Sequence, residues 1–226
     1  MRELKTLFFK CGLTAVICAA LSILLCVQAG AATTADELLS KLSGRYLKEQ
    51  ADFTSNFKVN SKIKDISFEG KFYFKPAMSF VVDAASAALK LKIVFTNGDG
   101  FIYLPAANII TNLDKLTQQK TKSIQFPSNV QELETKMSLF LSEFEVAKAE
   151  DGQFLKFTAK SKKARGSFCV LLDKASSDLK NITTYNNKGN EELIIEFSGY
   201  QKEKVADSLF VKPQNAVEAN MPVPLF

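Results

Sequence analysis

The sequence contains no histidine and no tryptophan, and only four cysteines in 226 residues. The missing histidine removes Ser-His-Asp and Cys-His nucleophilic catalysis of the usual kind. It also removes HExxH zinc hydrolysis and the common imidazole metal ligands. Cys11, Cys18 and Cys26 all precede residue 32. Without that region Cys169 stands alone, and one cysteine builds neither a standard structural zinc site nor an intramolecular disulfide. Cys169 falls in the apolar run 168–172, where a small buried hydrophobe is expected rather than a reactive thiol. No GxSxG, Walker loop or GxGxxG occurs. Neighbouring carboxylates, Glu132 with Glu134 and Glu191 with Glu192, lie among lysines on segments that read as solvated. The expectation is therefore a protein that is not an enzyme and has neither cofactor nor metal. No internal repeat, low-complexity segment or long linker divides the chain.

The N-terminus has the layout of an export signal. Arg2, Lys5 and Lys10 form a charged segment and residues 13–27 an apolar one. Ala29-Gly30-Ala31 then fits a small-residue cleavage site, with cutting before Ala32. Cys18 follows Ile17 and Cys26 follows Leu25, so neither matches a lipid-modified cysteine. Residues 1–31 are read as a cleavable signal peptide and 32–226 as one exported domain, periplasmic in a double-membrane bacterium. Roughly 195 residues remain, enough for a sizeable core. The net charge of +5 falls to about +3 without the leader, a mild excess that identifies no anionic partner.

What the chain has in abundance is phenylalanine, 19 residues of it, much of it at period two between 68 and 112. Phe72 and Phe74 share a face, with Lys71, Tyr73 and Lys75 opposite. Leu89, Leu91, Ile93 and Phe95 share another, with Lys90 and Lys92 opposite. Asn97-Gly98-Asp99-Gly100 reads as a tight reversal into a strand over 101–104. Pro76 and Pro105 each end a strand, because proline cannot donate to a ladder. Further strands are predicted over 154–159, 167–172, 179–185 and 191–198, the last two joined by an Asn-rich turn at 186–190. A helix is predicted from a Thr34/Glu37 capping box, with Leu38, Leu39, Leu42, Tyr46 and Leu47 as its stripe. A second, capped by Ser128 or Asn129, carries Leu133, Met137, Phe140, Leu141 and Phe144. Residues 118–122 read as exposed connection. The fold class expected is α+β: an unclosed, strongly curved antiparallel β half-barrel with helices covering its concave apolar face.

Four blocks in fixed order carry a resemblance. Asp52-Phe53-x-x-x-Phe57 leads to Gly70-x-Phe72-x-Phe74-Lys75-Pro76. Thr96–Pro105 has an Asp-Gly turn running through aromatics to a proline. Residues 179–197 form a hairpin, and Asp207-Ser208-Leu209-Phe210 precedes Pro213. In this order, behind an export signal and a helix, they resemble the periplasmic outer-membrane lipoprotein carriers, the LolA-like family. The resemblance implies a monomer that shields the acyl chains of lipoproteins in an apolar cavity. It implies an inner-membrane releasing ABC transporter and an outer-membrane acceptor as partners. Each buried CH₂ is worth about 0.8 kcal/mol, so acyl chains need such cover to cross water.

The lining residues expected on this reading are Phe72, Phe74, Phe80, Val82, Leu89, Leu91, Ile93 and Phe95, with Leu38, Leu42, Phe140 and Phe144 as lid residues. For each, ordinary core is the competing reading, because alternation defines a face but not which face is concave. Family members often carry an arginine after the Lys-Pro that ends this strand, bonded to the lid. Phe80 stands there, so lid closure is expected to rest on packing alone, and opening by the usual releasing transporter is in question. Two further readings stay open: a lipid sensor or store on the same scaffold with glycolipid or phospholipid cargo, and a structural or chaperone-like protein with a filled core. Lys160, Lys162, Lys163 and Arg165 form an exposed turn without interleaved aromatics. That argues against a nucleic-acid groove and leaves a docking patch for an acidic partner or an anionic membrane surface.

Overall fold

The computed structural model describes residues 33–48, 51–63, 65–76, 79–96, 99–113, 130–163 and 166–219. The signal peptide, Asn97-Gly98, residues 118–122, Ser128, Asn129 and Arg165 lie outside the described residues, as does the Leu133 side chain. Helix α1 (Thr34–Ser43) continues into a π turn (Gly44–Lys48) and is followed by β1 (Phe53–Ser61), β2 (Ile66–Lys75), β3 (Ser79–Ala85), β4 (Lys90–Thr96), β5 (Asp99–Leu104) and β6 (Ile109–Asn112). Helix α2 (Val130–Ser142) precedes β7 (Phe144–Asp151), β8 (Phe154–Ser161), β9 (Ser167–Asp173), β10 (Leu179–Tyr185) and β11 (Glu191–Gln201). A 3₁₀ turn (Asp207–Phe210) and β12 (Val217–Glu218) end the described chain.

All the strands join one sheet in the order β12-β6-β5-β4-β3-β2-β1-β11-β10-β9-β8-β7. It is open, its two ends being β12 and β7. Three parts of the expectation change. With two short helices among the described residues, the protein is mostly β rather than α+β. The sheet is mixed, because β12 pairs with β6 in parallel. It is also not strongly curled. Curl is built from bulges and glycine kinks repeated across a sheet. Here the register shifts only within the β1–β11, β11–β10 and β10–β9 pairs.

The first helix begins one residue earlier than its predicted cap. The Thr33 hydroxyl accepts from the Asp36 amide and the Asp36 carboxylate from the Thr33 amide, so aspartate closes the box in place of Glu37. Leu38, Leu39 and Leu42 are buried, as is Tyr46 in the π turn. Helix α2 stops at Ser142, and Phe144 opens β7 instead of completing a helical stripe. A position three or four residues beyond Phe140 and Leu141 fits helical spacing. The alternation of Phe144 with Val146 and the hairpin turn at Gly152, with φ of +56°, decide for strand.

One apolar cluster lies between the sheet and the helices. It joins Leu38, Leu42, Met137 and Leu141 to inward residues of the strands from β1 through β11. Glycine is required at two positions beneath it. A Cβ on Gly70 would lie 1.9 Å from the Asp83 carbonyl oxygen of β3. One on Gly100 would lie 2.6 Å from a Leu113 methyl and 3.3 Å from the Phe95 ring. A smaller cluster, Val81, Val94, Phe101 and Ile110, occupies the opposite face of β3–β6 and is covered by Leu209, Phe210 and Ala216.

Candidate functional site

Register brings four phenylalanines into a row across the covered face. Phe53 of β1 pairs with Phe74 of β2, which pairs with Phe80 of β3, which pairs with Phe95 of β4. Gly100 of β5 follows in register and leaves space for the last ring. Phe53 and Phe74 stack with centroids 5.0 Å apart, and Phe80 and Phe95 likewise at 5.0 Å. Phe72 sits in the next row, 6.1 Å from Phe80. Of the expected lining residues, Phe72, Phe74, Phe80, Val82, Leu91, Ile93 and Phe95 are buried in the main cluster, and Leu89 packs half-buried against it.

The expected lid residues divide. Leu38 and Leu42 of α1 are fully buried in the cluster that includes the row. Phe140 of α2 is half-buried and forms a second aromatic group with Phe144 and Phe168, centroids 4.9 Å and 6.0 Å away. Phe144 belongs to the sheet, so it is floor rather than lid.

Polar contacts tie α1 down, contrary to the expectation that packing alone holds it. Arg45 donates from Nε to the Asp178 carboxylate at 2.7 Å, with both side chains nearly buried. Its guanidinium also lies 4.0 Å from the centre of the Tyr200 ring, a cation–π contact strengthened by exclusion of water. The Tyr46 hydroxyl accepts the Leu179 amide proton at 2.8 Å. Burial pushes the Tyr46 phenol well above the ordinary tyrosine value, against the smaller lowering effect of that bond. At the other end of the helix Lys148 of β7 pairs with Glu37 at 2.6 Å. Fully buried Ser43 donates to Glu134 of α2 at 3.2 Å, joining the two helices. Phe80 carries no polar group for such a tie, and the cation that makes one here is Arg45 of the π turn.

Beneath this latch lies a hollow of about 20 Å³ lined by Tyr46, Phe53, Ser55, Phe72, Asp178, Leu179, Lys180, Phe197, Ser198 and Tyr200. That is space for a water molecule and far less than an acyl chain needs. The phenylalanine face is packed core in this conformation. Sequence reasoning missed Arg45, Tyr46, Asp178 and Tyr200 as site residues. It also passed over Phe53, although Phe53 and Phe57 already stood in the first motif at a spacing compatible with one strand face.

Among the described residues, no three or more His, Cys, Asp or Glu side chains gather as a metal would require. No helix among them is long and apolar enough to cross a membrane. Cys169 is buried and free, its thiol pushed up by burial.

No protein-family model matches the chain, and no curated protein matches it in sequence. Similarity emerges only in three dimensions. An uncharacterized conserved protein from Thermus thermophilus superposes with TM-score 0.58 at 12% identity, over 83% of this chain and 99% of the other. A chain of the Pseudomonas aeruginosa MucA/MucB complex superposes with TM-score 0.56 at 12% identity, over 81% of this chain and 62% of the matched one. The fold is shared with the Thermus protein over nearly its whole length and with about two thirds of MucB. A LolA superfamily protein from Nitrosomonas europaea aligns over 80% of this chain and 99% of its own at 12% identity, but its TM-score of 0.40 carries no weight.

Proposed function

We propose that this chain is an exported, non-enzymatic lipid-binding protein that carries acylated lipoproteins through the periplasm. The observation that carries the reading is the four-phenylalanine row in register, in one apolar cluster with the inward residues of two short helices, with α1 held by a handful of replaceable polar contacts. Breaking the Arg45–Asp178 and Tyr46–Leu179 contacts and lifting α1 exposes a broad, pliable aromatic floor without unfolding the sheet. Acyl chains then take the places of Leu38 and Leu42 in the cluster that also holds Phe53, Phe72, Phe74 and Phe80, exchanging one apolar cover for another. An exchange of this kind is close to neutral in free energy, which suits a carrier that has to release its cargo. An inner-membrane releasing transporter and an outer-membrane acceptor complete the route on this reading.

A second reading is favoured by the likeness to MucB, which has been solved in complex with MucA. In it, lipid displaces the same helix and the change is passed to a bound protein, without delivery of the lipid. Both readings are tested by mixing the exported form with membranes loaded with an acylated lipoprotein and looking for a soluble one-to-one complex. An unacylated lipoprotein and a folded Phe72→Glu variant serve as controls. A complex that needs the acyl groups, and that delivers them to acceptor vesicles, is the carrier result. Retained lipid without delivery supports the sensor. No complex and no bound lipid means that the phenylalanine row is simply core.

A further inference from the structure

Three hairpin tips stand side by side along one end of the sheet: β1–β2, β10–β11 and β8–β9. The sheet order places them next to each other, and backbone contacts agree. The Lys62 amide donates to the Glu192 carbonyl at 2.9 Å, joining the first tip to the second. A Cβ on Gly166 would lie 2.4 Å from the Tyr185 carbonyl oxygen, so the third tip presses on the second. At the strand spacing of a sheet, neighbouring hairpins are centred about 10 Å apart.

Exposed lysines sit on all three tips: Lys62, Lys188, and the pair Lys162 and Lys163. Lys163 pairs with Glu143 at 2.7 Å and Lys162 donates to the Ser142 carbonyl at 2.8 Å, and each ammonium keeps further donors. Asp65, Glu191 and Glu192 are the other acids close to these turns. The turns at the opposite end of the sheet carry Asp99, Asp151, Asp173 and Asp178 together with Lys75 and Lys174. Large exposed apolar side chains accompany the basic tips. Ile63, beside Lys62, is 55% exposed, and Leu139, one turn before Ser142 in α2, is 65% exposed. Solvated charge alone does not account for aliphatic side chains held in water at the same rim.

We propose that this rim docks on an anionic phospholipid surface, with the four lysines at the headgroups and Ile63 and Leu139 entering the interface. Basic side chains near aliphatic ones are the combination such an interface selects, and each lysine near an anionic surface strengthens binding about fivefold. The rim lies at the end of the sheet away from the Arg45–Asp178 latch, so docking and lid opening engage different residues.

The test is co-sedimentation of the exported form with phosphatidylcholine vesicles, with and without a one-third share of phosphatidylglycerol. Binding is expected only with phosphatidylglycerol, and it should fade as salt is raised. The Lys162→Glu Lys163→Glu Lys188→Glu variant is expected to lose more than roughly tenfold, and Ile63→Ser Leu139→Ser roughly tenfold. Equal binding to neutral vesicles, or unchanged binding by the folded charge-reversal variant, overturns the proposal. Capture of an acidic protein with no vesicle binding overturns it as well. The rim variants should still take up a soluble fluorescent fatty acid. If the parent protein fails that uptake, the carrier reading is lost and the rim proposal stands.

Discussion

The two halves of the sheet solve burial differently. Strands β3, β4 and β5 are covered on both faces, by the helix-side cluster on one and by the C-terminal segment on the other. In β3, Phe80 and Val82 point to the helices and Val81 to the C-terminal cover, so the strand reads as a nearly continuous apolar run. At the far end β7 is covered on one side alone, and most of its residues are exposed. The first half is a plate sealed on both sides. The second contacts α1 and α2 and can loosen without exposing a second face. On the proposed carrier or sensor reading, the doubly covered half serves as floor and the β7 half as the margin that yields.

The largest expected effect tests the plate. Phe95→Ala removes a ring that is 1% exposed and stacked on Phe80, and should cost about 3–5 kcal/mol in urea denaturation. Arg45→Ala strands the nearly buried Asp178 carboxylate and should cost about 2–3 kcal/mol. It should also speed exchange of a bound fluorescent fatty acid, an effect that Phe95→Ala need not share. Phe144→Ala, in the half-buried group of β7, should cost roughly 1–2 kcal/mol. Equal losses at Phe95 and Phe144 would erase the distinction between the halves.

Tyr46→Phe is comparably mild. It leaves the buried Leu179 amide without its acceptor, at about 1–2 kcal/mol. It should also change the alkaline limb of stability. Burial raises the Tyr46 phenol above its ordinary value of 10.0, so the folded chain keeps a proton that the unfolded chain gives up. This contribution is fully present below pH 10 and is lost as pH rises above it, by about 1.4 kcal/mol per unit. Denaturation midpoints of the parent should therefore fall more steeply between about pH 10 and 11 than those of Tyr46→Phe. Parallel curves would remove the buried phenol from the account.

Much of the strand layout was legible because alternation and turn chemistry are local. Leu179–Tyr185 is found as predicted, and Pro76 and Pro105 lie one residue beyond the ends of β2 and β5. The burial of Phe72, Phe74 and Phe95 followed from the same periodicity. The latch was not legible. Arg45 and Asp178 are 133 positions apart, and neither carries a local pattern that distinguishes it from other surface charges. Strand β7 was hidden for another reason: Phe144 satisfies the spacing of the preceding helix and the alternation of the following strand equally well. The two-residue β12 is too short for periodicity to register at all.

That short strand has a consequence for assembly. The β6 side of the sheet ends in a two-residue stub, Val217 and Glu218, too brief to template another chain. The β7 side presents an eight-residue margin studded with Glu145, Lys148, Glu150 and Asp151. Filaments built by strand addition need two complementary margins, one to give and one to receive. Among the described residues the first margin is too short to pair and the second carries charges that oppose pairing. Neither described margin therefore invites strand addition by another copy.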